Sequence, residues 1–111
     1  MKKKLLDVGN CVPDHAAIRA AAIQHFDCEV LQTHGADDTL ELLRREPVDL
    51  VLINRKLDRD YSDGIEILRQ IKADAALAKT PVMLITNYAE HQQAAIAAGG
   101  EEGFGKLELH S

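Results

Sequence analysis

No stretch of this chain approaches the roughly 20 consecutive apolar residues that a membrane-spanning helix needs. Met1-Lys2-Lys3-Lys4 leads straight into a short strand-like segment, without the apolar core and cleavage site of a signal peptide. Basic excess is missing too: 13 Lys and Arg stand against 18 Asp and Glu, a net charge of -5, which favours solubility over attraction to polyphosphate. Neither membrane nor nucleic acid is expected as a direct partner, and the cytoplasm is the expected compartment. The two cysteines, Cys11 and Cys28, lack a Cys-x-x-Cys spacing and a clustered His pattern, so they read as reduced thiols and not as zinc or redox ligands. Glycine-rich nucleotide loops are absent: no Gly-x-x-x-x-Gly-Lys-Ser/Thr and no Gly-x-Gly-x-x-Gly follows the first strand. Internal repeats, low-complexity tracts and linkers are also lacking.

What remains is a chain of 111 residues, 46% hydrophobic and 28% charged, enough for one core and one compact domain over residues 1–111. Short apolar runs alternate with helix-period segments, the pattern of β-α units around a buried parallel sheet. The first strand is expected over Lys4 to Val8. Pro13-Asp14 then open an alanine-rich helix to about His25, with Ile18, Ala22 and Ile23 as its inner stripe. Cys28 to Leu31 alternates like an edge strand, and Thr39 to Arg45 reads as a second helix stopped by Pro47.

Val48 to Ile53 is aliphatic and β-branched, a strand covered on both faces, with Asn54 at its carboxyl end. Ile65, Ile67, Leu68 and Ile71 recur at helical spacing, and Pro81 to Ile85 is another buried strand ending at Thr86. A fourth helix, Tyr88 to Ala98, stops at Gly99-Gly100, and a last short strand near Gly103-Phe104 reaches Lys106. Leu107 to Ser111 are too few for a covering helix.

The order of these elements resembles the response-regulator receiver (CheY-like) fold up to Lys106. Pro47-Val48-Asp49-Leu50-Val51-Leu52-Ile53 looks like its third strand and Asp63-Gly64 like the turn before its third helix. Thr80-Pro81-Val82-Met83-Leu84-Ile85-Thr86 looks like its fourth strand and switch threonine, and Ala98-Gly99-Gly100 with Phe104-Gly105-Lys106 like its terminal lysine segment. Each motif alone is common, but their order is not. The resemblance implies a flavodoxin-like, doubly wound, five-stranded parallel sheet of order 2-1-3-4-5, here with the last helix truncated or absent.

In that family an aspartate at the end of the third strand accepts a phosphoryl group, and Mg²⁺ is held by it and by an acidic pair after the first strand. The matching positions are Asn54 for the acceptor and Gly9 and Asn10 for the pair. A carboxamide is a poor nucleophile, and Mg²⁺ normally takes one or two anionic oxygens. Phosphorylation and tight Mg²⁺ binding are therefore not expected, and no cofactor is. Thr86 and Lys106, which in the family contact phosphoryl oxygens, are retained. Lys106 either turns to solvent or, if partly buried, needs an acidic partner, for which Asp58 is the nearest candidate on sequence grounds.

Other departures concern the switch. Gly103 stands where the family has an aromatic, Asn87 where it has a small residue and Leu107 where it has proline, while the loop from Arg55 to Ser62 is about two residues longer than usual. Asp58, Asp60 and Asp63 lack the distal Glu of an EF-hand. Asp7 is awkward in a central strand, with edge exposure or a local bend as the plain account and replacement of a lost carboxylate as the other. His15, His25, His34, His91 and His110 form no i, i+4 metal pair and read as solvated surface residues.

The leading expectation is a non-enzymatic pseudo-receiver. It would signal by docking to signalling proteins or a fused output domain, or as a homodimer, through apolar surface near Leu5, Phe104 and Leu107. The alternative is a working phosphoacceptor that uses Asp7 and Asp58. A flavodoxin-like enzyme or nucleotide binder ranks last.

Overall fold

The structure, a computed structural model, describes residues 3–105. Eight elements follow one another as β1 (Lys3–Val8), α1 (Val12–His25), β2 (Cys28–Thr33), α2 (Ala36–Arg45), β3 (Leu50–Asn54), α3 (Gly64–Ala73), β4 (Val82–Ile85) and α4 (Ala89–Ala97). The strands form one parallel sheet of order β2-β1-β3-β4, with Leu5 opposite Val30 and Leu50, and Ile53 opposite Val8 and Leu84.

Strand side chains alternate between faces, and the sequence uses both. Leu6, Val8, Val51, Ile53, Val82 and Leu84 point to one face, where they pack with residues such as Leu42, Leu43 and Leu68 of α2 and α3. Leu5, Leu50, Leu52, Met83 and Ile85 point to the other, where Ile18 of α1 and Phe104 join them. Among the described residues α1 is the helix that covers this second face, and an apolar groove of about 200 Å³ remains beside it. No helix of the described residues is long and apolar enough to cross a membrane.

Several expectations shift. The buried stripe of α1 is Asp14, Ile18 and Ala22, spaced four apart, whereas Ile23 is 46% exposed, because one residue turns the helix by about 100°. Helix α2 begins at Ala36 and not at Thr39, since Asp38 accepts hydrogen bonds from the amides of His34 and Gly35 and so satisfies the extra turn. Strand β2 extends to Thr33, and β3 starts at Leu50 because Asp49 is held at the strand's entrance by Lys4, whose amide donates to its carboxylate at 2.8 Å.

The expected five-stranded sheet is corrected to four strands among the described residues. Residues 101–104 do run beside β4, with Glu101 N donating to Val82 O at 2.7 Å and Thr86 N to Phe104 O at 3.0 Å, but only an isolated bridge, Met83 to Glu101, is formed. Between those two bonds lies the carboxamide of Gln92: it accepts from Gly103 N at 3.0 Å and donates to Leu84 O at 2.9 Å. A side chain from α4 thus supplies the bonds that a neighbouring backbone would otherwise make.

Candidate functional site

In an open α/β sheet, sites gather at the carboxyl ends of the strands. There the structure brings Gly9, Asn10, Asn54 and Thr86 together, at the ends of β1, β3 and β4. Lys106 and Leu107 lie outside the described residues. Gly64 opens α3 directly beneath Asn54, and a Cβ there would stand 2.1 Å from Asn54 O, so the Asp63-Gly64 turn needs its glycine for close approach.

Asn54 is buried, and its amide nitrogen donates to Gly9 O at 3.2 Å and to Lys56 O at 2.7 Å. Two carbonyl oxygens thus converge on a neutral N–H donor at the end of β3. Gly9 has φ +75°, and a Cβ on it would meet Leu57 Cδ2 at 2.4 Å. The loop after β3 explains this: Lys56 bridges Asp63, Leu57 N donates to Ser62 O and Asp58 N to Gly9 O, so the loop folds as a tight hairpin with Leu57 turned into the core. Asp58 stays exposed at its outer side.

Asp7 corrects the expectation of an edge or a bend. It lies fully buried in β1, between β2 and β3, on the face covered by α1. One carboxylate oxygen accepts from Asn10 Nδ2, and the other is 2.6 Å from His15 Nδ1. Burial pushes the Asp7 carboxyl above its usual range, and the hydrogen bonds from Asn10 and His15 offset this only in part. Asn10 is buried with its Oδ1 lacking a partner among the described residues.

Thr86 is also buried. Its hydroxyl accepts from Tyr88 N at 3.3 Å and lies 3.3 Å from His91 Nδ1. His15 and His91 are therefore not plain surface residues as expected. A signal for His15 was present: a carboxylate in a central strand demands a donor, and His15 sits in the first turn of the helix that follows. Leu57 and Gln92 carry no comparable signal, because their roles depend on how a loop and a helix close on the sheet.

Gly9 offers no side chain, Asn54 turns its N–H groups inward, and the Asp7 oxygens are engaged. Among the described residues no three His, Cys, Asp or Glu side chains are grouped so that they could hold a metal ion.

Parallel strands in this order, helices on both faces and a polar cluster at the strand ends define a receiver-type α/β module. The response regulator receiver domain model matches residues 11–106, and the chain belongs to that family, the signalling input module of two-component systems. No curated protein matches the sequence. Among solved structures, the chemotaxis response regulator CheY4 of Vibrio cholerae is similar at TM-score 0.76 and 16% identity, over 99% of this chain and 94% of that one. The BeF3-activated N-terminal receiver domain of RstA from Klebsiella pneumoniae gives 0.77 and 23%, over 94% and 86%. NtrX from Brucella abortus gives 0.78 and 22%; 99% of this chain is covered but only 25% of NtrX. At these identities the likeness establishes the fold.

Proposed function

We propose that this receiver domain signals without accepting a phosphoryl group, and that it acts by binding signalling proteins or a fused output domain. The observation that carries the reading is the packing of Leu57 against Gly9 together with the inward-facing amide of Asn54. An apolar side chain fills the room that an acidic residue at position 9 would need, and the acceptor position presents a carboxamide. Tight Mg²⁺ binding is not part of this reading. No chemical conversion is assigned to the domain.

The alternative, phosphorylation of Asp7 or Asp58, fits less well. Both Asp7 oxygens are engaged and out of water, and the Asp58 side chain is exposed on the loop after β3. For docking, the groove beside α1 is lined by Leu5, Ile18, Leu50, Leu52, Met83 and Phe104, which supports Leu5 and Phe104 as part of an apolar contact surface. Light scattering at high concentration tests whether a second copy uses it.

The decisive test is intact-protein mass spectrometry after incubation with Mg²⁺ and acetyl phosphate. Absence of a labile adduct of about one phosphoryl group supports the reading; a stoichiometric adduct on an aspartate refutes it.

A further inference from the structure

We infer that the outer edge of β2 is a self-association surface: two copies of the chain join their β2 strands antiparallel about a twofold axis through Val30, which makes one continuous sheet. The sheet order β2-β1-β3-β4 leaves β2 paired on one side only among the described residues, whereas beside β4 residues 101–104 and the Gln92 carboxamide take up the edge. An unpaired strand edge presents a row of N–H and C=O groups ready to pair with another chain. This goes beyond docking to signalling proteins, and it uses a different surface from the groove beside α1.

Lys3 N donates to Asp27 O at 3.1 Å and Gly9 N to Thr33 O at 2.9 Å, which fixes the phase of the β1–β2 ladder. Glu29, Leu31 and Thr33 therefore turn their backbone groups toward β1, and Cys28, Val30 and Gln32 turn theirs outward. The outward residues are evenly spaced and centred on Val30, so an antiparallel copy matches them with themselves: Val30 faces the partner's Val30, and Cys28 faces the partner's Gln32. Every outward N–H then meets an outward C=O, roughly six hydrogen bonds at about two per pair. Facing positions share parity, so the twofold axis stands perpendicular to the sheet and α1 of both copies stays on one face.

The side chains agree. Strand edges are commonly protected from such pairing by proline, lysine or a bulge. Residues 28–33 contain neither proline nor lysine, and their one-to-one register with β1 has no bulge. Val30 is half-buried beside Leu5, and pairing with its copy covers two β-branched side chains. Glu29, the charged residue of the strand, has Lys4 beside it on β1 and faces the partner's Leu31, so no like charges stand directly opposite. Ile23 and Phe26, 46% and 67% exposed, lie next to Cys28 on the rim of the edge. Phe26 has extended backbone and falls level with the partner's His34, so its exposed ring gains a flat neighbour. A second copy thus fits this edge in backbone and side-chain pattern alike, and the small area of one strand pair implies a reversible dimer at the weak end of specific interfaces.

The test is sedimentation velocity of the full chain over a range of concentrations, with hydrogen exchange followed by NMR on the same samples. A monomer–dimer equilibrium is expected, with a Kd on the order of 100 μM. As dimer forms, exchange should slow at the amides of Cys28, Val30 and Gln32 and stay unchanged at Glu29, Leu31 and Thr33, which β1 already protects. Val30→Lys, which sets two ammonium groups face to face, should weaken association about tenfold or more, and Val30→Thr, which keeps the β-branch, by less. A chain that stays monomeric up to about 1 mM, or an equal Kd in Val30→Lys, overturns the inference. So does a dimer whose amide protection fails to alternate along β2, an outcome that assigns the contact to another surface such as the groove beside α1. The exchange pattern is read on the unsubstituted chain, so it decides the matter even where Val30→Lys does not fold. Phosphoryl transfer is read by mass, so the phosphorylation-independent reading and this one can fail separately.

Discussion

Leu57 Cδ2 lies where the first side-chain carbon of any residue other than glycine at position 9 would have to go, 2.4 Å from an ideal Cβ. The two positions are coupled through the hairpin, since Asp58 N donates to Gly9 O at 2.9 Å. Placing an acid at position 9 is therefore not a local change: it has to displace a core leucine and hold an L-residue at φ +75°.

Gly9→Asp should destabilise the domain by about 2 to 4 kcal/mol, combining overpacking with left-handed backbone strain. The cost should fall in a Leu57→Ala background, so the double mutant should be less destabilised than the sum of the single ones. Urea denaturation of the four proteins measures the coupling, and strict additivity would mean that Leu57 does not set the space at Gly9.

Asp7 links stability to pH. Its carboxyl titrates above the ordinary 3.8 in the folded state, so the folded chain holds that proton more tightly than the unfolded one. The resulting stabilisation is complete below the unfolded value and is lost as pH rises through the folded one. Asp7→Asn has no such loss, so its stability relative to the wild type should improve as pH rises from the unfolded value of 3.8 through the folded one. An opposite trend in chemical denaturation would show that the contact with His15 outweighs burial.

Gln92 tests the substitution of a side chain for a strand. Gln92→Ala removes the donor to Leu84 O and the acceptor for Gly103 N, and should cost about 1 to 3 kcal/mol. Hydrogen exchange at Gly103 should quicken if the carboxamide protects that amide, whereas unchanged protection would mean that another group has taken its place.

Asp38 anchors the start of α2. Burial, the largest single effect, pushes its carboxyl up, but the amides of His34, Gly35 and Thr39 and the nearby His34 ring together outweigh it and hold the carboxyl below the usual range. Its contribution is present above the unfolded value of 3.8 and disappears as pH falls through the lower folded value. Asp38→Ala should cost up to about 1 kcal/mol near neutrality, given the side chain's exposure, and progressively less in acid. A pH-independent difference in melting would rule out the carboxylate as the cap.

How much of this was legible beforehand differs from element to element. Val51, Leu52 and Ile53 announce a strand buried on both faces because residues alternate sides and all three are apolar. Ile67, Leu68 and Ile71 announce a helix by their spacing. Local chemistry also marks Gly9, Asn10 and Asn54 as positions without carboxylates, whatever the fold does with them. Local periodicity, however, cannot say which face of α1 turns inward, and Ile23 was therefore misplaced.

Sequence by itself determined the α/β order, the parallel sheet and the absence of carboxylates at Gly9, Asn10 and Asn54, since these depend on residue type and period-two or period-3.6 repetition. Only the tertiary structure decided that Leu57 fills the space over Gly9, that His15 reaches Asp7 from α1, and that Gln92 intervenes between β4 and residues 101–104. Each joins groups from different elements, and such meetings are set by how loops and helices close on the sheet, a global balance of packing that no local pattern encodes.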